Sequence, residues 1–84
     1  MLKFVSVKTT DKKFLKALGK RIKELREEQD ISQDQLAYEC GKHRTHINRI
    51  EKGKINTGII NLVHLSKALD VNVKELFEFK YEEE

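Results

Sequence analysis

Apolar residues recur at steps of three and four through most of the chain, the spacing of one buried stripe on an α-helix. Over residues 14–29, Phe14, Leu15, Leu18, Ile22 and Leu25 follow this rhythm, and most positions between them are Lys, Arg or Glu. The pattern breaks at Asp30-Ile31. Ser32-Gln33-Asp34-Gln35 then fits a capping box, in which the serine oxygen takes a backbone N–H three residues on and Gln35 reaches back. The spacing predicts a short helix over Gln33–Cys40, with Leu36, Ala37 and Cys40 inward and Gly41 as a left-handed stop. A second helix over residues 44–52 buries Ile47 and Ile50. Ile59, Leu62, Leu65, Ala68 and Leu69 predict a further helix, with its inner stripe on Ile59, Leu62, Leu65 and Leu69. Asn72-Val73-Lys74-Glu75 is a second capping box, ahead of Leu76 and Phe77.

The ends read differently. Leu2, Phe4, Val5 and Val7, and then Phe77, Phe79 and Tyr81, fall at roughly period two. Each end is open to two readings, a short strand or a frayed terminus, and lone strand pairs are marginal. The expected organisation is an N-terminal arm or strand over 1–13, one domain over 14–77, and an acidic tail or strand over 78–84. The fold class is all-α, five helices around one core.

Composition narrows the function. The chain has 84 residues, 38% hydrophobic and 37% charged, with no proline, four glycines and one cysteine. A single small domain at this length is marginally stable and gains from a second subunit. One cysteine closes no disulfide within a chain, which suits a reducing cytoplasm. No apolar run approaches the roughly 20 residues of a membrane span, and the start lacks a secretory signal.

The net charge of +3 is unevenly spread. Residues 1–54 carry 14 Lys and Arg against 8 Asp and Glu, whereas residues 55–84 carry 3 against 6. A basic body with an acidic tail suits a polyanion partner. The basic residues concentrate: Lys42, Arg44, Arg49, Lys52 and Lys54 surround the second helix, with Glu51 as the one acid there. Two helices joined through Gly41-Lys42-His43 form a helix-turn-helix, whose second helix is the right width for the DNA major groove. Arg44, Thr45, Asn48 and Arg49 lie opposite Ile47 and Ile50, with 44/48 and 45/49 each four apart on one face. They are the candidate base readers, and His46 sits at the edge of that face.

Other chemistry finds little support. Cys40, His43 and His46 are three apart, but a turn at Gly41 interrupts them and no fourth ligand follows. Cys40 reads as a small core residue, so neither metal nor cofactor is expected. No acidic orienter or oxyanion element accompanies Cys40 and a histidine, and no phosphate-binding glycine motif is present. No enzymatic role is expected.

Several stretches resemble the Cro/C1-type (XRE-like) helix-turn-helix repressors and their lambda-repressor-like fold. These are Leu18-Gly19-Lys20-Arg21-Ile22-Lys23-Glu24-Leu25-Arg26, Ile31-Ser32-Gln33-Asp34-Gln35-Leu36-Ala37 and Ile47-Asn48-Arg49-Ile50-Glu51-Lys52-Gly53. Leu65-Ser66-Lys67-Ala68-Leu69-Asp70-Val71-Asn72-Val73-Lys74-Glu75-Leu76-Phe77 is similar to the closing helices. The likeness covers residues 14–77, and Arg44-Thr45-His46-Ile47 is most similar to the controller proteins of restriction–modification systems. The resemblance implies that Gln33 binds a phosphate and braces a recognition-helix side chain. It places Arg44, Thr45 and Arg49 on base edges with Asn48 nearby, and His43, Lys52, Lys54 and Asn56 on the DNA backbone. It makes Arg26 and Glu51 an internal ion pair. Three positions depart from the family: Lys42 for an apolar turn residue, His43 for a small cap, and Thr57-Gly58 for Pro-Ser.

Ile60 and Val63 should project outward, and with Phe79 and Tyr81 they suggest a homodimer surface. Two recognition helices about 34 Å apart would then read a palindromic operator in double-stranded DNA. The expected function is a small dimeric transcriptional regulator. Its rivals are an antitoxin that binds both a toxin and promoter DNA, and a scaffold that uses the fold for protein contacts alone.

Overall fold

A computed structural model describes residues 7–80. It contains four α-helices, α1 Val7–Glu28, α2 Gln33–Cys40, α3 Arg44–Glu51 and α4 Ile59–Ala68, followed by a 3-10 helix, Val73–Phe77. The all-helical class and the helix-turn-helix boundaries agree with the sequence pattern. The fifth helix is 3-10 rather than α. The Asn72 N–H donates to the Glu75 carboxylate at 2.8 Å, as the second capping box requires. No strand occurs among the described residues. Val7 lies in α1 and Phe77 in the 3-10 helix, while Leu2, Phe4, Val5 and Tyr81 lie outside the described residues. These period-two aromatics pack on Phe14 instead, Phe79 partly buried against the core and Phe77 exposed. Phe79 meets Phe14 edge-on at 5.3 Å between centroids, and Phe77 stacks on the same ring at 6.3 Å.

The core is built from the expected stripes: Leu18, Ile22 and Leu25 of α1, Leu36 and Ala37 of α2, Ile47 and Ile50 of α3, Leu62 and Leu65 of α4, then Leu69 and Leu76. Helix α3 lies between α1 and α2, while α4 closes against α2 and the 3-10 helix. Ile59 breaks the expected stripe, being 70% exposed. As the first residue of α4, its Cβ leans back toward the helix N-terminus, over the preceding loop and away from the core.

Short connections are fixed by left-handed stops. Gly41 has φ +66° and follows α2, and Lys42 N–H returns to the Ala37 carbonyl at 2.8 Å. The same six-to-one bond ends α1, where Asp30 takes φ +58° and Ile31 N–H reaches the Arg26 carbonyl at 3.1 Å. Gly19 has a different reason. An added Cβ would stand 2.3 Å from the Ile50 carbonyl oxygen and 2.5 Å from that of Glu51, so α1 and α3 touch backbone to backbone there.

Candidate nucleic-acid interface

The interface starts from how α2 and α3 begin. Ser32 caps α2, its hydroxyl accepting the Gln35 N–H at 3.0 Å. The Gln35 side-chain amide donates to Glu39 at 2.9 Å, so the serine half of the expected box is the half that forms. His43 occupies the cap of α3 with extended backbone but makes no side-chain capping bond. That start is therefore less well held than one capped by Ser or Asn, and its exposed N–H groups stay open to an anion.

The chemistry of α3 divides by face. Arg44, Thr45 and Arg49 are exposed, whereas Ile47 and Ile50 are buried. Asn48 is half-buried and turned toward α2, where its amide donates to the Gln33 oxygen over a long 3.4 Å. Arg44 stands 3.9 Å from the Asp34 carboxylate, both side chains well exposed. Such a surface pair holds little energy and leaves the guanidinium available. His46, at the edge of the face, lies 3.5 Å from the Thr57 hydroxyl, which accepts from Asn61 at 2.9 Å. Thr57 thus ties α3 to the start of α4 at the position where it departs from the family pattern.

Beneath this face sits a buried ion pair. Arg26 donates through Nε to Glu51 Oε2 at 2.7 Å and through Nη2 to Oε1 at 3.0 Å, while Nη1 donates to the Ile31 carbonyl at 2.8 Å. Gln33 donates to the same Glu51 Oε1 at 2.9 Å. The hydrogen bond to Glu51 pushes the already high Arg26 pKa further up, against the opposing effect of burial. Among the described residues no buried side-chain nitrogen or oxygen lacks a hydrogen-bond partner. A fully bonded buried pair fixes geometry more than it adds net stability.

Lys52 caps the C-terminus of α3, and Lys52, Lys54 and Asn56 are exposed along the following loop. The Lys54 N–H returns to the Arg49 carbonyl at 2.9 Å, which sets the loop relative to α3. Two further features lay outside the motif logic. Lys12, Lys13 and Lys16 of α1 border the Lys52–Lys54 turn, a juxtaposition that α1 periodicity alone cannot reveal. Tyr38 on α2 is 82% exposed; its polar neighbours Gln35 and Glu39 in the sequence were the available signal.

Cys40 is half-buried against the core, and desolvation, with the Glu39 charge, pushes its thiol pKa up. A raised pKa disfavours the reactive thiolate. Among the described residues no group of three or more His, Cys, Asp or Glu could hold a metal ion. Among them, too, no helix is long and apolar enough to cross a membrane.

Comparison with known proteins agrees with this arrangement. The helix-turn-helix family pattern (HTH_3) matches residues 22–76. The chain is 40% identical over 62 residues to the control protein C.BamHI of Bacillus amyloliquefaciens, covering 73% of this chain and 76% of that protein. The restriction-modification controller protein C.AhdI from Aeromonas hydrophila has a similar crystal structure, with a TM-score of 0.74 at 36% identity over 75% of this chain and 96% of that one. The DNA-binding domain of the P22 C2 repressor superposes with a TM-score of 0.71 at 28% identity, covering 76% of this chain and 84% of that domain. The chain belongs to the XRE-like helix-turn-helix family (HTH_3) of DNA-binding transcription regulators, and not to an enzyme family.

Proposed function

We propose that this protein is the control protein of a restriction–modification system, acting in the cytoplasm as a dimeric regulator of transcription. In this reading α3 enters the major groove of a palindromic operator. The observation that carries it is the exposed row Arg44, Thr45 and Arg49 on a helix whose opposite face is buried. Arginine presents a planar fork that matches the two acceptors of guanine, and Thr45 can bond an edge or meet a thymine methyl. Asn48 reads bases less directly, since it leans on Gln33. Gln33, His43, Lys52, Lys54 and Asn56 flank this row and take the phosphates, which set register without carrying sequence. The similarity to C.BamHI and C.AhdI supports the controller role.

The dimer face centres on the start of α4. Ile60 is 62% exposed beside Ile59, and Ile59 lines a groove of about 770 Å³ together with Phe14, Leu15 and Phe77. Exposed apolar patches of this kind mark association surfaces. Val63 is half-buried one turn further along α4, and Phe79 is held edge-on against Phe14, which lines that groove. Tyr81 lies outside the described residues. A two-fold contact here would pair two recognition helices for successive major-groove segments, about 34 Å apart.

Selection of bound fragments from a random duplex pool is the test. A recovered palindrome with half-sites about one turn apart is expected. Fragments with no common sequence would overturn the reading.

A further inference from the structure

The loop after α3 and the first half of α1 meet at one point. Gly53 adopts φ +69°, and an added Cβ there would lie 2.6 Å from Lys16 Cα, so the turn presses directly onto the α1 backbone. The result is a shallow groove of about 610 Å³ bordered by Lys12, Lys13, Lys16, Lys52 and Lys54. No Asp or Glu borders it among the described residues; Asp11 lines the groove under Ile59 instead. Lys12, Lys16, Lys52 and Lys54 are exposed. Lys12 and Lys16 are four apart on one helix face, a like-charge spacing that a helix tolerates only at some cost.

We propose that this lysine groove is a second DNA contact, in which Lys12 and Lys16 of α1 continue the phosphate track that Lys52 and Lys54 begin. The inference rests on the DNA-binding reading above and extends it to an element outside the helix-turn-helix. Three features select the phosphate backbone as occupant. The cations are ammonium groups on flexible stems, which bind anions as point charges and do not read planar edges. The groove borders hold neither an aromatic ring nor a guanidinium for stacking or forked base contacts. Its position is tied to base reading, because the Lys54 N–H is bonded to the carbonyl of Arg49 and Gly53 N–H to that of Ile50. Duplex DNA seated on α3 therefore has its nearest strand beside a cationic surface whose distance from α3 is set by backbone contacts.

The test measures duplex affinity of the full chain between 50 and 200 mM salt, on a long duplex carrying the selected sequence and on a long random duplex. Removing one lysine–phosphate pairing should flatten the log–log salt slope by about 0.9. Lys12→Gln/Lys16→Gln should therefore flatten it by about 1.8 on both duplexes, making the fall in affinity across that range about tenfold smaller. The sequence preference should be unchanged. Lys20→Gln/Lys23→Gln removes the same charge from exposed α1 positions outside the groove and should keep the steeper slope. A wild-type slope in the Lys12/Lys16 variant, or an equal flattening in both variants, overturns the proposal. If wild type selects no sequence while the Lys12/Lys16 slope still falls, the operator reading fails and the lysine groove stands. Circular dichroism of each variant checks that the helices are intact.

Discussion

Arg26 grips Glu51 with two parallel hydrogen bonds, at 2.7 and 3.0 Å, across the junction of α1 and α3. Gln33 shares the Glu51 carboxylate and receives Asn48, so one hydrogen-bond network centred on the buried pair joins the first three helices. Removing one partner leaves the other charged, buried and short of hydrogen bonds. Arg26→Met or Glu51→Leu alone should cost about 3–5 kcal/mol, a large share of the roughly 4–13 kcal/mol expected for 84 residues. The double variant should recover most of that loss, because two apolar side chains need no compensation. Thermal unfolding of the three variants checks it; singles that cost under about 1 kcal/mol would show that the pair is not the clamp.

Gly19 marks the closest backbone approach between α1 and α3. Gly19→Ala gains helix propensity yet must push the Ile50 and Glu51 carbonyls away, so a net loss of about 1–3 kcal/mol is expected. Gly58→Ala is the comparison. Nothing lies within 4 Å of its added Cβ, and the cost should stay near that of an ordinary cap change, below about 1 kcal/mol. Urea unfolding distinguishes them, and equal losses would mean that the close approach yields easily.

The two kinds of basic residue should separate in binding measurements. Arg44→Ala or Arg49→Ala should lower affinity for the selected sequence by about 1–3 kcal/mol while changing random-duplex binding little. Lys52→Ala or Lys54→Ala should weaken all duplexes alike and flatten the salt slope by about 0.9 each. Competition between specific and random duplexes makes the comparison. An equal loss on both for Arg44→Ala removes it from base reading.

Ile60 permits a clean probe of association, being largely exposed and outside the core. Ile60→Glu should shift the sedimentation distribution from dimer to monomer and weaken binding to the palindrome more than to a single half-site. Its unfolding temperature at high dilution should match wild type. A dimer unchanged in sedimentation would exclude this surface. Val63→Glu is the harsher version, since that side chain is half-buried and its replacement also disturbs packing.

Much of the fold was legible because helical periodicity and caps are local. Leu18, Ile22 and Leu25 reveal the inner face of α1 by spacing alone, and Ser32 and Gly41 bound α2 through backbone chemistry within a few residues. Ile59 fails the same logic. It keeps the stripe's spacing, but as the first residue of α4 its side chain leans back over the preceding loop. The terminal aromatics fail it differently. Period two in Phe77 and Phe79 reflects two rings closing on Phe14, a meeting across more than sixty positions that no local pattern encodes.

The sequence by itself determined the inner stripes of the helices apart from Ile59, where α2 and α3 begin and end, and which cations surround α3. Each of these depends on side chains within a turn or two of one another. The tertiary structure decided the rest. It brought Glu51 to Arg26 and Gln33, turned Asn48 from solvent toward α2, and set Gly19 against the end of α3. It also laid Lys12 and Lys16 beside Lys52 and Lys54. These relations join segments about fifteen to forty residues apart, and their distances follow from how whole helices pack, which spacing along one helix does not contain.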